Sequence, residues 1–321
     1  MSSDHPKTAV FVIGAGRSGT STVARALQAV GVDLGDRFKK ASRKNPTGFF
    51  EDKDLLAISK KARKAVGLRA DSVRLIDAGV FECAKIHALQ SRAIDVIQTR
   101  FAHSSVWGFK YGRTLRILPF WDRVLATTGH QPAYLIALRN PLSVARSRAK
   151  IDPRRGQQVA SDLEWLVSIV PFFRRTQGQR LAVVDYDALM DAPTTELGRV
   201  VHQLKLPTSA DSKKRIDAFV DGFLDTRLRH TRFCDDDLDA AVDINPIVKD
   251  AYRLLKTWTH DQTDDDIERF WAAWADIEAR VEALSPVLSL LDVKENDWRR
   301  AVISPWGPLQ SWRLIKPWFK Q

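Results

Sequence analysis

Cysteine is almost absent from this chain of 321 residues, which contains only Cys83 and Cys234. Two cysteines are too few for a disulfide framework, a four-thiolate zinc site or a C-x-x-C redox pair, and such usage is typical of a reducing compartment. No run of about 18 uncharged apolar residues occurs, so we expect no transmembrane anchor. The first seven residues are polar and include Asp4, so we also expect no secretory signal.

The composition is that of a folded globular protein, with 44% hydrophobic and 28% charged residues. Lys and Arg together number 50 and Asp and Glu 39, which gives a formal net charge of +11. An excess of this size favours an anionic ligand, a nucleic acid or an acidic membrane surface, and charge alone does not choose among them.

Short apolar runs alternate with stretches of helical periodicity, such as residues 84–100. This pattern predicts an α/β fold in which helices flank a parallel, P-loop-like sheet. The predicted strands are Ala9–Ile13, Val106–Lys110, Ala133–Leu138 and Leu181–Tyr186. Strand signals fade after residue 213, and one long helix is predicted over residues 265–284. We therefore expect an α/β core over residues 8–212 and a mainly helical extension of the same domain over residues 213–321.

A glycine-rich loop follows the first predicted strand, with the sequence Gly14-Ala-Gly-Arg-Ser-Gly-Thr-Ser21. Backbone N–H groups between a strand and a helix bind phosphate-like anions. A dinucleotide-binding interpretation also needs a second strand that ends in an acid, and residues 31–36 do not form a strand pattern. A P-loop kinase interpretation lacks its lysine, because Thr20 stands at that position. A glycine turn with no ligand is a further interpretation.

A second anion motif begins where the third predicted strand ends, at Arg139. The chain turns at Asn140-Pro141 and continues as a helix, so Ser147 lies two turns into that helix and can converge with Arg139 on one dianion. A strand-terminal Arg in a surface ion pair is the simpler explanation.

Together the two motifs resemble those of sulfotransferases that use 3′-phosphoadenosine 5′-phosphosulfate (PAPS), where the first loop holds the 5′-phosphosulfate and the second motif the 3′-phosphate. Less specific similarities to segments of the same family occur in Asn45–Glu51, Trp107–Arg113, Val183–Leu189 and Leu228–His230. One departure is Tyr111-Gly112, where the family usually has Asp-Pro. The resemblance assigns these residues to the donor: Gly16, Arg17, Ser18, Gly19, Thr20, Ser21, Arg139 and Ser147.

The resemblance also implies an in-line transfer of a sulfuryl group to an acceptor hydroxyl, with adenosine 3′,5′-bisphosphate as product and no metal. We expect Glu51 to be the general base, although it could instead favour the start of the next helix. Lys110 and Arg17 would neutralise the oxygen that bridges phosphorus and sulfur, or Lys110 could be an edge lysine whose ammonium stays in water. We assign Arg113 and His230 to the acceptor, and His230 is the second candidate base.

The acceptor is expected to be a carbohydrate or glycoconjugate, and no nucleic acid partner is expected. Because no membrane anchor is expected, the resemblance implies a bacterial-type cytoplasmic enzyme rather than a Golgi-resident one. The segment Trp298–Gln321 combines tryptophan with basic residues and has no acid, which suits either a peripheral contact with the inner membrane face or packing onto the body. The alternatives to a sulfotransferase are a P-loop-type nucleotide kinase and a non-enzymatic basic protein that binds polyanions or membranes.

Overall fold

A computed structural model describes residues 7–39, 48–224 and 231–303 of the chain. Its centre is one sheet of four parallel strands in the order β2-β1-β3-β4. The strands are β1 (Thr8–Ile13), β2 (Val106–Lys110), β3 (Gln131–Leu138) and β4 (Arg180–Asp185). Val10 lies opposite Gly108 on one side and Ala133 on the other, and Ile136 lies opposite Val183. The expected α/β fold with a parallel sheet is therefore confirmed.

Helices occupy most of the rest of the described chain. The first eight are α1 (Thr20–Ala29), α2 (Lys53–Ala65), α3 (Ala84–Arg100), α4 (Leu118–Thr128), α5 (Pro141–Ala149), α6 (Gln158–Ile169), α7 (Tyr186–Asp191) and α8 (Pro193–Gln203). The extension consists of α9 (Ser212–Phe223), α10 (Asp235–Ala240), α11 (Pro246–Thr257), α12 (Asp264–Ala283) and α13 (Ser285–Ile303). No strand occurs in the described residues after β4, as the fading strand signals predicted.

Successive residues of each strand face two separate apolar layers, because side chains alternate along a strand. Phe11 and Trp107 lie in the layer that also contains residues of α2, α3 and α4. Val10 and Val12 lie in the opposite layer with residues of α1 and α8. Both faces of the sheet are thus covered, which explains why its strands read as continuous apolar runs.

The extension packs against the sheet layer through aromatic side chains. Trp274 of α12 is fully buried and its ring lies 4.5 Å from that of Phe173, which lies in the apolar layer that contains Phe11 and Trp107. Helix α12 begins at Asp264 because the Thr263 hydroxyl accepts the Asp266 N–H and the Asp266 carboxylate in turn accepts the Thr263 N–H. Among the described helices none is both long and apolar enough to cross a membrane.

In this strand order the crevice expected of an open parallel sheet, its topological switch point, falls between β1 and β3. The chain leaves β1 toward β2 on one side, then crosses back to β3 on the other, so the connections after β1 and β3 diverge. Ligands of open parallel sheets bind at the carboxyl ends of the strands at this kind of switch point. The glycine loop follows β1 and Arg139 follows β3, so both predicted anion motifs lie at this crevice.

Candidate active site

The glycine loop between β1 and α1 has an unusual backbone. Gly14, Arg17 and Gly19 have φ values of 156°, 80° and 86°. Arg17 is the informative one, since a non-glycine residue in the left-handed region costs free energy and is found where the surroundings impose it, often at functional sites. The Ser18 hydroxyl donates to the carbonyl of Ala15 at 2.7 Å and is buried, so the structure places this hydroxyl inside the turn.

Gly19 occupies the N-cap position of α1 and has no room for a side chain. A Cβ there would lie 2.2 Å from the ring of Tyr186. Gly19 has no side chain that could cap α1, and the first N–H groups of a helix have no acceptor within the helix. A helix N-terminus with this arrangement attracts anions through its N–H groups and its dipole.

Arg17, Ser147 and Arg139 meet at the crevice although they come from different parts of the chain. The Nε of Arg17 donates to the Ser147 hydroxyl at 3.0 Å. The Nη1 of Arg139 donates to the backbone carbonyl of Arg17 at 3.4 Å, and its guanidinium carbon lies 4.6 Å from the centroid of the Tyr186 ring. Burial lowers the pKa of Arg17, and the neighbouring charge of Arg139 lowers it further. The two anion motifs therefore form one cationic site.

Asn140 holds the start of α5 and a distant segment at the same time. Its Oδ1 accepts the N–H of Leu142 at 3.0 Å, which caps the helix, while its Nδ2 donates to the carbonyls of Phe233 and Cys234. Arg139 donates to the carbonyl of Thr231 at 3.1 Å. The two consecutive residues thus bind the segment 231–234 at the site. His230, together with residues 225–229, lies outside the described residues.

Lys110 ends β2 and is buried, with 4% of its surface exposed. Its ammonium lies 3.1 Å from Glu51 Oε1, 3.2 Å from the Ser21 hydroxyl and 3.0 Å from the carbonyl of Phe49. Burial lowers the pKa of this ammonium, and the Glu51 carboxylate opposes that shift. The edge-lysine interpretation is therefore wrong: the charge is held inside the protein, at the end of the glycine loop.

Glu51 and Asp52 are adjacent carboxylates with different contacts. Asp52 Oδ1 accepts the N–H groups of Asp54 and Leu55, which caps α2, and its Oδ2 pairs with Arg100 at 2.7 Å. Glu51 lies between Lys110 and Lys39, whose Nζ is 3.5 Å from Glu51 Oε2. Helix capping is thus the task of Asp52 and leaves Glu51 beside the buried lysine. Residues 40–47, which include the first three residues of the Asn45–Glu51 segment, lie outside the described residues.

Arg113 lies beyond β2, and its Nε donates to the carbonyl of Ala70 at 2.7 Å. Burial lowers its pKa. Tyr111, which stands where the related family has Asp, accepts a hydrogen bond from Arg63 through its hydroxyl at 3.1 Å. A Cβ on Gly112 would lie 3.7 Å from the carbonyl of Gly14, so this pair brings the end of β2 against the glycine loop.

Three contributors to the site carry no recognisable sequence signal. Arg148 is 3% exposed and donates through Nε to the carbonyl of Gly16 at 3.3 Å and through Nη1 to that of Ser161 at 2.6 Å. Tyr186 packs against both Gly19 and Arg139. Lys39 lies over the Phe49 ring, 3.7 Å from its centroid. An arginine beside Ser147 and a tyrosine after β4 could have been noticed only as residues near the predicted motifs.

Positive charge dominates the buried groups around this crevice. Lys110, Arg139 and Arg148 are each less than 9% exposed. Glu51 lies 3.1 Å from Lys110, and Glu164 lies 3.8 Å from Arg148. No group of three or more His, Cys, Asp or Glu in the described ranges could hold a metal ion. Charged groups of both signs thus lie at the carboxyl ends of the strands, with an excess of positive charge, which favours an anion there.

Comparisons with known proteins give remote likenesses only. No family model matches the chain, and no curated protein matches it significantly. Among solved structures, the chain is similar to sulfotransferase STF9 from Mycobacterium avium, with 15% identity over 85% of this chain and 77% of the other, and a TM-score of 0.43. It is also similar to the sulfotransferase domain of the Synechococcus PCC 7002 olefin synthase, with 17% identity over 85% and 96% and a TM-score of 0.40. Sulfotransferase STF1 from Mycobacterium tuberculosis H37Rv has 14% identity over 66% and 71%, with a TM-score of 0.41. At these values the likeness does not establish an activity.

Proposed function

We propose that this protein is a PAPS-dependent sulfotransferase that moves a sulfuryl group to a hydroxyl of a carbohydrate or glycoconjugate. One observation carries the proposal: the Arg17 guanidinium donates to the Ser147 hydroxyl at 3.0 Å while Arg139 binds the carbonyl of Arg17. A glycine loop alone would suit several nucleotides. A second cationic motif directly against it suits a ligand with two separate anionic groups, as the 5′-phosphosulfate and 3′-phosphate of PAPS are.

The residues of the crevice fit such a donor. The absence of a side chain at Gly19 makes room for the Tyr186 ring, and the first turn of α1, with Thr20 and Ser21, would present N–H donors to a phosphate. Arg17 would hold the 5′ side, and Arg139 and Ser147 the 3′-phosphate. Ser18 contributes differently, because its hydroxyl is used within the turn.

When bound, PAPS supplies the sulfuryl group, whose sulfur forms a bond to the acceptor oxygen as its bond to the phosphate oxygen breaks. Lys110, whose ammonium is 3.2 Å from the Ser21 hydroxyl, and Arg17, within the same loop, would neutralise the negative charge that develops on that phosphate oxygen. Because both cations are held in place before the reaction, little reorganisation is needed when charge develops.

Glu51 would accept the proton that the acceptor hydroxyl loses. Its carboxylate is buried beside Lys110, which is proposed to neutralise the leaving oxygen, and this supports the role of base. The same contact gives Glu51 a second task, because it compensates the buried charge of Lys110. Arg113 and His230 remain assigned to the acceptor.

A thermal-denaturation panel tests the cofactor. Adenosine 3′,5′-bisphosphate at about 100 times its dissociation constant stabilises a protein by roughly 2.7 kcal/mol, which raises the midpoint by several degrees. We expect this shift with the bisphosphate and a smaller one with ATP plus magnesium or with NAD. Arg17→Ala should reduce it, whereas Arg269→Ala, at a 76% exposed arginine, should not. A larger shift with ATP plus magnesium would favour a kinase instead.

A further inference from the structure

The guanidinium of Arg113 is only partly used by the protein itself. Its Nε donates to the carbonyl of Ala70 at 2.7 Å, whereas Nη1 and Nη2 have no hydrogen-bond partner among the described residues. Neither Nη atom is fully enclosed, so a ligand can reach both. Arg113 also forms no ion pair in the described part of the chain. The outer edge of this guanidinium is therefore a pair of charged donors available to an anion.

Three further cations near Arg113 share the lack of an ion pair. Arg63 and Arg116 are 5% and 3% exposed, and both donate to backbone carbonyls of the segment 68–74. Lys60, on α2, is exposed. Within residues 7–39, 48–224 and 231–303, no carboxylate lies within 4 Å of these three side chains. Carbonyls satisfy the N–H groups of a guanidinium but leave its net charge in place.

The carboxylates that act on this cluster are committed to other cations. Burial lowers the pKa of Arg113, Arg116 and Lys60, and one carboxylate opposes the shift in each case. These carboxylates are each paired elsewhere: Glu164 with Arg155 at 2.6 Å, Asp292 with Arg74 at 3.9 Å and Glu51 with Lys110 at 3.1 Å. The cluster of Arg63, Arg113, Arg116 and Lys60 thus keeps an excess of positive charge.

This cluster adjoins the proposed active site. A Cβ on Gly112 would lie 3.7 Å from the carbonyl of Gly14, so Arg113, the next residue, follows β2 directly beside the glycine loop. Lys60 is influenced by both Glu51 and Arg113, since the carboxylate raises its pKa and the guanidinium lowers it. The cluster therefore lies next to both the glycine loop and the proposed base.

From this arrangement we propose that the acceptor is an anionic carbohydrate, whose carboxylate, sulfate or phosphate group binds the two Nη groups of Arg113 while its hydroxyl meets Glu51. The inference rests on the proposed sulfotransferase function. The planar edge of a guanidinium binds two oxygens of one such group at once. Arg63 and Arg116 add their charge from behind, and Lys60 adds a cation at the surface. A neutral acceptor would leave this positive charge uncompensated.

Thermal denaturation with saturating adenosine 3′,5′-bisphosphate tests the proposal, because the bisphosphate keeps other anions out of the donor site. The probes are glucuronate, glucose 6-sulfate and glucose 6-phosphate at constant ionic strength, with glucose as the neutral counterpart. We expect at least one anionic sugar to raise the midpoint further, and glucose not to raise it. Arg113→Gln should weaken this binding roughly tenfold to a hundredfold, the effect of losing hydrogen bonds to a charged group. Lys60→Gln should weaken it roughly two- to fivefold.

Arg92→Gln is the matched control, because Arg92 is an exposed arginine of α3. It should leave the response to anionic sugars unchanged. Since Arg113 also holds the carbonyl of Ala70, each variant is judged by the difference between its midpoints with and without sugar. Lys60→Gln repeats the test at an exposed side chain that lacks such a contact.

Three results would overturn the proposal in a chain that binds the bisphosphate. They are no shift with any anionic sugar, an equal shift with glucose, and a shift that survives unchanged in both Arg113→Gln and Lys60→Gln. A chain that the bisphosphate itself does not stabilise would contradict the proposed function, and with it this inference. That result is obtained before any sugar is added, so the two failures are distinct.

Discussion

The Nε of Arg17 lies 3.0 Å from the hydroxyl of Ser147, although 130 positions separate the two residues in the sequence. Arg17 belongs to the turn after β1 and Ser147 to the helix after β3, so the contact joins the two connections that diverge at the switch point of the sheet. The contact brings the loop proposed for the 5′-phosphosulfate against the helix proposed for the 3′-phosphate. The predictions below test what binds there and what the neighbouring groups do to it.

Ser147→Ala should weaken binding of adenosine 3′,5′-bisphosphate roughly tenfold to a hundredfold, the usual effect of losing one hydrogen bond to a charged group. Calorimetric titration measures the change. Ser143→Ala is the matched control: it lies one turn earlier on α5, and its buried hydroxyl has no hydrogen-bond partner among the described residues. That change should leave affinity unaltered and stability equal or slightly higher. Equal losses in the two variants would remove Ser147 from the binding site.

Gly19→Ala should lower the free energy of unfolding by more than about 1–2 kcal/mol, because the left-handed backbone disfavours a Cβ and the Tyr186 ring occupies its place. Binding of the bisphosphate should fall with it. Gly198→Ala provides the comparison, since that glycine lies within α8 with nothing within 4 Å of its added Cβ. It should stabilise the protein by about 0.5–1 kcal/mol. Chemical denaturation of both variants gives the two values, and a tolerated Gly19→Ala would contradict the described loop.

Glu51→Gln should lower kcat by roughly 10²- to 10⁴-fold if its carboxylate is the general base. Asp52→Asn, a change of the same kind at the next residue, should instead reduce stability by about 1–3 kcal/mol through its lost pairing with Arg100, and should leave kcat nearly unchanged. The readout is release of adenosine 3′,5′-bisphosphate from PAPS in the presence of candidate acceptors. If Glu51→Gln changes only the affinity for the donor, Glu51 acts by holding Lys110 and the base lies elsewhere.

Binding of the bisphosphate should weaken as the pH rises toward 10.5, the ordinary pKa of lysine. Burial lowers the pKa of Lys110, so this group loses its proton below that value and the bound anion loses one cation. In the same interval the unfolded chain binds more protons than the folded one, so the free energy of unfolding attributable to Lys110 rises with pH. Titrations at increasing pH should show the loss of affinity in the unaltered chain and in Lys39→Met, and not in Lys110→Met. The same alkaline loss in Lys110→Met would assign it to another group.

Much of the fold could be predicted because its signals are local. The run Val106–Lys110 reads as a strand because it is buried on both faces, and β2 has those bounds. The fourth strand was expected to end at Tyr186 but ends at Asp185, since the Asp185 carboxylate accepts the N–H groups of Asp187 and Ala188 and starts α7. The apolar pattern alone does not show that the Asp185 carboxylate caps a helix and so ends the strand one residue earlier.

The site could be predicted only in part, because its completion depends on contacts between distant segments. The glycine loop and Arg139 follow strands and have local motifs. Arg148 donates a hydrogen bond to the carbonyl of Gly16, and the Tyr186 ring packs against Gly19. Neither contact leaves a pattern in the sequence. The pairing of Glu51 with Lys110 joins residues 59 positions apart, so sequence alone could name both without showing that they touch.

The most direct test compares adenosine 3′,5′-bisphosphate with adenosine 5′-monophosphate by calorimetric titration in the unaltered chain and in Arg139→Ala. The central claim is that Arg139 and Ser147 recognise the 3′-phosphate. It predicts that the bisphosphate binds roughly a hundredfold more tightly or better than the monophosphate, and that Arg139→Ala abolishes most of this difference with little effect on the monophosphate. Equal affinities for the two nucleotides in the unaltered chain, or a preference for the bisphosphate that survives in Arg139→Ala, would contradict it.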